Sequence, residues 1–329
     1  MRILVIRRGA IGDIIVTLPT LEILRENYPD AYIEVIGNYK YWEIAHNRYY
    51  VNTVSSGETR FLYEIYLRNR EFSKETVNYF SSFDLVLAYI SDPEGIVREN
   101  LIKIGVKRVI IYPPFPRGEN QHAADYTALI LREIELNVNP PLFPKIHLSR
   151  EDLNFASRFL FPFREYQPLV AIHPRTFGHK GWAIEKFIEI GRWIENTLNG
   201  KSMWIIGPAE EENIKAIESN FPSSPILKFQ SLPEVAAVLG SCHLYFGCDT
   251  GISHLAAAAG TRVLALFGPT NPRVWCPRGK NVLIVKSDEM PKIQEDKVEE
   301  IITKYITSND IEGIRCLQSE DLNDQLTTP

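Results

Sequence analysis

Residues 247–272 read G-C-D-T-G-I-S-H-L-A-A-A-A-G-T-R-V-L-A-L-F-G-P-T-N-P, and this stretch decides the fold. The apolar run Leu244 to Phe246 ahead of it reads as a short buried strand that ends at Gly247. Asp249, Thr250 and Gly251 then open a helix of small residues that runs to about Ala259, where Gly260 stops it. Val263 to Phe267 is the next strand, closed by a second Gly/Pro turn. A helix start carries unpaired N–H groups and the positive end of a dipole, so it suits a phosphate. Asp249 and Thr250 are good N-caps, and Gly251 lets a ligand approach the backbone closely. Ser253 and His254 fall on the first turn, within reach of anything bound there. Taken alone, the same residues also describe a merely capped helix in an α/β sheet.

Upstream, the strand–turn–helix unit recurs. Leu169 to Ile172 leads into H-P-R-T-F-G-H-K-G-W (173–182) and then a helix with Phe187, Ile190, Trp193 and Ile194 on its apolar side. Thr176 and Lys180 sit in a Gly-containing loop that can hold a phosphate, although the spacing is not that of a Walker loop. Met203 to Ile206 is the next strand, and Gly207-Pro208-Ala209-Glu210 turns into a further helix. An acid after a second strand is where Rossmann-type domains hydrogen-bond a ribose; Glu210 equally suits a helix dipole. Val282 to Val285 adds a strand and Lys297 to Tyr305 a last helix. The polar tail, 308–329, is expected to lack ordered structure.

The first half repeats the pattern. Ile3 to Ile6 is an apolar run of the kind a buried parallel strand shows, followed by R-R-G-A-I-G-D (7–13) and a helix with Ile14, Ile15, Leu18, Leu21 and Leu24. The loop lacks G-x-G-x-x-G, so it gives little support to a dinucleotide-binding dehydrogenase. Asp13 is either a helix cap or a carboxylate at the end of strand one, where open α/β sheets bind ligands. Strands are expected at Tyr32 to Ile36, Leu85 to Tyr89 and Arg108 to Tyr112, with helices near 41–47, 58–70, 93–104 and 121–136. Arg60, Arg68, Arg70 and Lys74 form a basic cluster that is either a solvated face or a contact for anionic head groups and phosphates. His122 and Asp125 lie one turn apart, a spacing that suits a local side-chain pair. Residues 138–168 are rich in Pro and aromatic residues and begin as an inter-domain linker, with a helix over Leu153 to Phe161. Two α/β domains are therefore expected, 1–150 and 151–307.

Bulk properties narrow the function. With 45% hydrophobic and 23% charged residues, the chain has an ordinary globular balance. A net charge of −5 argues against a general nucleic-acid binder. The four cysteines are scattered without a C-x-x-C pair, which fits reduced thiols better than a disulfide frame or a zinc site. No apolar run is long enough to span a bilayer, and no leader peptide opens the sequence, so a cytoplasmic protein able to touch a membrane surface is expected.

Six segments in this order resemble the ADP-heptose:lipopolysaccharide heptosyltransferases, glycosyltransferase family 9: M-R-I-L-V-I…G-A-I-G-D-I-I-V-T-L-P (1–19), H-A-A-D (122–125), G-P-A-E (207–210), D-T-G-I-S-H-L-A-A-A-A-G (249–260), F-G-P-T-N-P (267–272) and M-P-K-I (290–293). The resemblance runs to about residue 306. It implies the GT-B fold, two facing Rossmann-like domains each with a mainly parallel sheet, the first binding the acceptor and the second the nucleotide sugar. It further implies a metal-independent, inverting transfer of heptose from ADP-heptose to a lipid-linked sugar at the inner membrane face, with no cofactor.

Residue by residue, Asp13 matches the family's general base and Lys180 the lysine that faces the donor phosphates. Thr176, Thr250 and Gly251 match phosphate-contacting positions, Glu210 the ribose-binding acid, and Asp249 and His254 residues lining the donor sugar and phosphates. A carboxylate at a helix start is a weak base, yet one that takes its proton in concert with attack contributes about 10²–10⁴-fold. The sequence departs from the family at P-R-T-F-G-H-K-G-W-A (174–183), where Arg175 offers an additional phosphate contact and Ala183 replaces a proline. Another nucleotide sugar or acceptor is therefore the nearest alternative. A non-catalytic nucleotide-sugar-binding protein is disfavoured by the joint presence of Asp13, Lys180, Glu210 and Asp249.

Overall fold

A computed structural model describes all residues except 69–70, 117, 119, 308–312 and 319–329. The chain divides into two compact units, Met1–His147 and Leu148–Pro329.

The first unit carries five strands: β1 (Arg2–Ile6), β2 (Tyr32–Gly37), β3 (Thr53–Ser56), β4 (Leu85–Tyr89) and β5 (Arg108–Tyr112). They form one sheet in the order β3-β2-β1-β4-β5, and every pairing is parallel. Helices cover such a sheet on both faces, which is why β1 and β4 read as continuous apolar runs rather than alternating ones. Leu4, Ile6, Val86 and Ala88 pack with Phe80, Phe83, Val97 and Leu101 on one face.

In the second unit are β6 (Leu169–His173), β7 (Lys201–Ile206), β8 (Ile226–Lys228), β9 (Leu244–Cys248), β10 (Val263–Phe267), β11 (Asn281–Lys286) and β12 (Gly313–Gln318). Their order is β12-β11-β10-β9-β6-β7-β8, again wholly parallel. Trp182, Phe187, Trp204, Phe246 and Tyr305 are the large side chains of its core. In both sheets the order reverses beside the first strand of the unit, between β1 and β4 and between β6 and β9. Ligands of open α/β sheets bind outside the strand ends at such points.

Several elements differ from the sequence expectation. β3 was not among the expected strands, because T-V-S-S carries a single buried apolar residue, Val54. The helix expected over 58–70 is confined to Arg60–Glu64, and a separate helix, Lys74–Ser81, is capped by Ser73. The helix expected over 121–136 changes to 3₁₀ geometry at Leu129–Ile134. The polar tail contains β12: Gly313–Gln318 pairs in register with β11, and Leu317 packs against the core. An isolated apolar pair in a polar segment gives little signal until a sheet edge is there to receive it. The rest of the tail, 308–312 and 319–329, lies outside the described residues.

Candidate active site

In the first unit β1 ends at Ile6, and the loop Arg7-Arg8-Gly9-Ala10 enters the short helix Ile11–Ile15. Asp13 is the third residue of that helix, so it is not the N-cap; its Oδ2 accepts the backbone N–H of Ala10 at 2.8 Å. Gly9 makes room for this, since a Cβ there would meet Asp13 Cβ and Oδ2 at 2.7 Å. Behind the carboxylate lies Arg7, whose Nη2 is 3.6 Å from Asp13 Oδ1. The arginine side chain is 1% exposed and the aspartate 16%, so it is the carboxylate that reaches the surface.

In the second unit β6 ends at His173, which pairs with Gly247 of β9 in register, and the loop after it brings Arg175, Thr176 and Lys180 to the ends of these strands. Buried Trp182 fixes the far end of this loop: its N–H donates to Arg175 O at 2.9 Å and its Nε1 to Ile293 O at 3.2 Å. Lys180 Nζ donates to Asp249 Oδ2 at 2.6 Å. Here the exposures are reversed, 29% for the lysine and 7% for the aspartate.

The helix Gly251–Ala258 follows β9 with Thr250 at its N-cap position. Both side chains expected to cap it do something else: Asp249 is engaged by Lys180, and the buried Thr250 Oγ1 makes no hydrogen bond. The first-turn N–H groups at Gly251 are those a helix start leaves open to a ligand. Ser253 and His254 are buried in the first turn, Ser253 Oγ donating to Cys248 O at 2.5 Å. Tyr245 packs beneath, its hydroxyl 3.2 Å from Ser253 Oγ, and Gly247 is required there because a Cβ would meet Tyr245 Oη at 2.5 Å.

Glu210 is the third residue of the 3₁₀ turn Pro208–Asn213 after β7 and is buried. Its Oε2 accepts Gly207 N–H at 3.2 Å and lies 3.5 Å from His173 Nε2. Burial pushes the Glu210 carboxyl up, but His173, the Gly207 N–H and the Arg175 charge outweigh it and hold the carboxyl below its usual range. Arg175 lies over the ring of Phe177, 4.3 Å from its centroid, and its buried Nε makes no hydrogen bond. His173 Nδ1 is likewise buried without a partner. Thr176 Oγ1 accepts Asn213 Nδ2 at 3.2 Å.

Lys180, Thr176, Arg175, Glu210, Asp249, Thr250, Gly251 and His254 thus all lie in the second unit, around the carboxyl ends of β6, β7 and β9, while Asp13 stands at the equivalent end of β1. Arg60 is paired with Glu64 at 3.5 Å and Arg68 with Glu94. Arg70 lies outside the described residues. His122 and Asp125 also each take a backbone N–H, His122 Nδ1 from Ala124 and Asp125 Oδ1 from Leu142. Sequence reasoning missed Arg7, His173 and Asn213. A charged or titratable residue closing an apolar strand run marks the first two; nothing local marks Asn213.

Over 93% of its length the chain superposes on the glycosyl transferase family 9 structure from Veillonella parvula, with a TM-score of 0.76, 18% identity and 97% of that chain covered. For the Escherichia coli heptosyltransferase WaaC with ADP the TM-score is 0.67, at 20% identity, with 93% of this chain and 100% of that one covered. The fold is that of the GT-B glycosyltransferases. Lipopolysaccharide heptosyltransferase 1 of Escherichia coli is 24% identical over 323 residues, 92% of this chain and 97% of that protein. Residues 116–306 match glycosyltransferase family 9 (heptosyltransferase). The chain belongs to that family and is a glycosyltransferase.

Proposed function

We propose that this enzyme transfers a heptose, with inversion, from ADP-heptose to a lipopolysaccharide core acceptor. The observation that carries the mechanism is the opposite sense of the two ion pairs. Asp13 offers a carboxylate backed by a buried cation, and Lys180 offers a cation backed by a buried carboxylate. In the proposed step the acceptor hydroxyl oxygen attacks the anomeric carbon while its proton passes to Asp13. The bond from that carbon to the diphosphate oxygen breaks, and its electrons leave with ADP. Lys180 and the N–H groups at Thr250 and Gly251 answer the charge that develops on the leaving group. Thr176 and Arg175 add phosphate contacts, Glu210 takes the ribose hydroxyls, and Asp249 and His254 line the sugar. The chemistry needs no metal ion. Support comes from the family and from relatives named as lipopolysaccharide heptosyltransferases.

The first unit is assigned to the acceptor and the second to the donor. Exposed Arg60 and Arg68 are the groups proposed to meet acceptor phosphates or the inner membrane face from the cytoplasmic side. Among the described residues no helix is long and apolar enough to cross a membrane, so such contact would be peripheral. Arg175 favours a second reading, a different nucleotide sugar, because its unpartnered Nε adds a donor in the loop where the sequence departs from the family. Isothermal calorimetry against ADP-, UDP- and GDP-sugars separates the two. ADP-heptose binding at least about tenfold tighter than the UDP- and GDP-sugars is expected. Preference for a UDP- or GDP-sugar would sink the donor assignment.

A further inference from the structure

Arg7 is the residue at which the apolar run of β1 meets the loop to Asp13, and it is fully buried. A guanidinium stays charged in proteins, so burying one is costly unless its surroundings answer the charge. Its surroundings are sparse. Nη1 donates to Pro114 O at 2.7 Å, and Nε makes no hydrogen bond. The rings of Tyr89 and Phe115 lie with centroids 5.2 and 5.5 Å from its central carbon. Burial pushes its pKa below the usual arginine range, and the Asp13 charge is the main influence opposing this, ahead of Tyr89 and Tyr126. Among the described residues Asp13 is its ion-pair partner.

The geometry of that pair is unequal in a useful way. Asp13 Oδ2 is held by the Ala10 N–H at 2.8 Å, whereas Oδ1 faces Arg7 at 3.6 Å, beyond a good hydrogen bond. The carboxylate is therefore gripped through one oxygen and attracted through the other. Oδ1 accepts no hydrogen bond among the described residues, which leaves it able to take a proton.

We infer that Arg7 is a positioning residue for Asp13. It fixes the carboxylate's orientation for an arriving acceptor hydroxyl. This rests on the reading of Asp13 as general base. One physical consequence follows from the pair. A base must lie within hydrogen-bond reach of the proton it takes, so a carboxylate free to rotate loses rate without losing substrate affinity.

The test uses Arg7→Gln, Arg7→Lys, Asp13→Asn and the double variant Arg7→Gln/Asp13→Asn of the full chain, with the donor that calorimetry identifies. ADP calorimetry and a thermal melt serve as checks of folding. Arg7→Gln should lower kcat by about 10²-fold with donor KM unchanged. Arg7→Lys, which keeps the charge but not the fork, should lower it about tenfold. The double variant should be no slower than Asp13→Asn alone, the non-additivity of residues acting as one unit. Wild-type kcat in either folded Arg7 variant, or additive losses, overturns the inference while leaving the base intact. Should Arg7→Gln not fold, Arg7→Lys decides by the same criterion. Wild-type turnover in Asp13→Asn removes the base itself, and Arg7's role with it, so the two failures read differently.

Discussion

Each sheet ends at its point of reversal in a carboxylate–cation pair, and the two pairs are inverted. After β1 the cation is the buried partner, 1% against 16% exposed; after the second unit's first strand the cation is the outer one, 29% against 7%. The contact also differs, 3.6 Å for Arg7–Asp13 and 2.6 Å for Lys180–Asp249. One fold motif thus presents negative charge in one unit and positive charge in the other. An ion pair at a strand end does not by itself say what the site does; the member that reaches solvent does.

The largest effect should come from removing the outer carboxylate. Asp13→Asn keeps an oxygen for the Ala10 N–H but cannot accept the proton, and kcat should fall about 10²–10⁴-fold. It also leaves Arg7 buried without a counter-charge, so the melting temperature should fall too, because breaking a buried pair is destabilising. Loss of stability with wild-type turnover would make the first pair structural and break the comparison.

Lys180→Ala should lower kcat/KM by about 10²–10³-fold, through the leaving group. Asp249 then stays behind as an unanswered carboxylate, so ADP affinity should fall as well. An unchanged kcat/KM would show that the outward lysine is decoration on a buried aspartate.

The smallest effect, and one on stability, is expected at a third pair, Arg60–Glu64, in which the arginine side chain is 81% exposed. Here hydrogen bonds rather than the ion pair dominate. The Thr76 hydroxyl at 2.7 Å and the Ser73 N–H at 2.9 Å, with a lesser part from Arg60, hold the Glu64 carboxyl down at about 2. A lowered carboxylate pKa contributes stability that is fully present above the ordinary value of 4.5 and is lost as pH falls towards about 2. Urea unfolding at pH 5 and pH 3 should therefore show a smaller acid-side loss in Glu64→Gln than in the wild type. Equal losses would move the cause elsewhere. Arg60→Ala should barely change the urea midpoint, as an exposed surface pair contributes little.

Much of this was legible in the residues. Apolar runs too continuous for an exposed sheet announced parallel strands, as at Val263–Phe267, and the Gly/Pro turns announced where they end. Helix-start chemistry pointed to Thr250 and Gly251, and the family resemblance to Asp13 and Lys180. Other features had no local trace. The reading of Asp13 as a cap was off by three positions, because the identity of an N-cap depends on where the loop allows the first helical bond. β12 and β3 were hidden for the same reason as each other: a short edge strand is defined by the neighbour that receives it.

The sequence by itself determined that the chain forms two parallel α/β units, with carboxylates and a lysine near strand ends, because hydrophobic periodicity and turn chemistry are local properties. Only the tertiary structure decided which charges meet and which of each pair faces outward. Lys180 reaches Asp249, 69 residues away, because β6 lies between β7 and β9, so the loops after β6 and β9 end side by side. Arg7 is hidden because Tyr89, Phe115 and Pro114 O, all distant in the chain, close around it. Burial is set by what packs against a side chain, and no stretch of sequence contains its own neighbours.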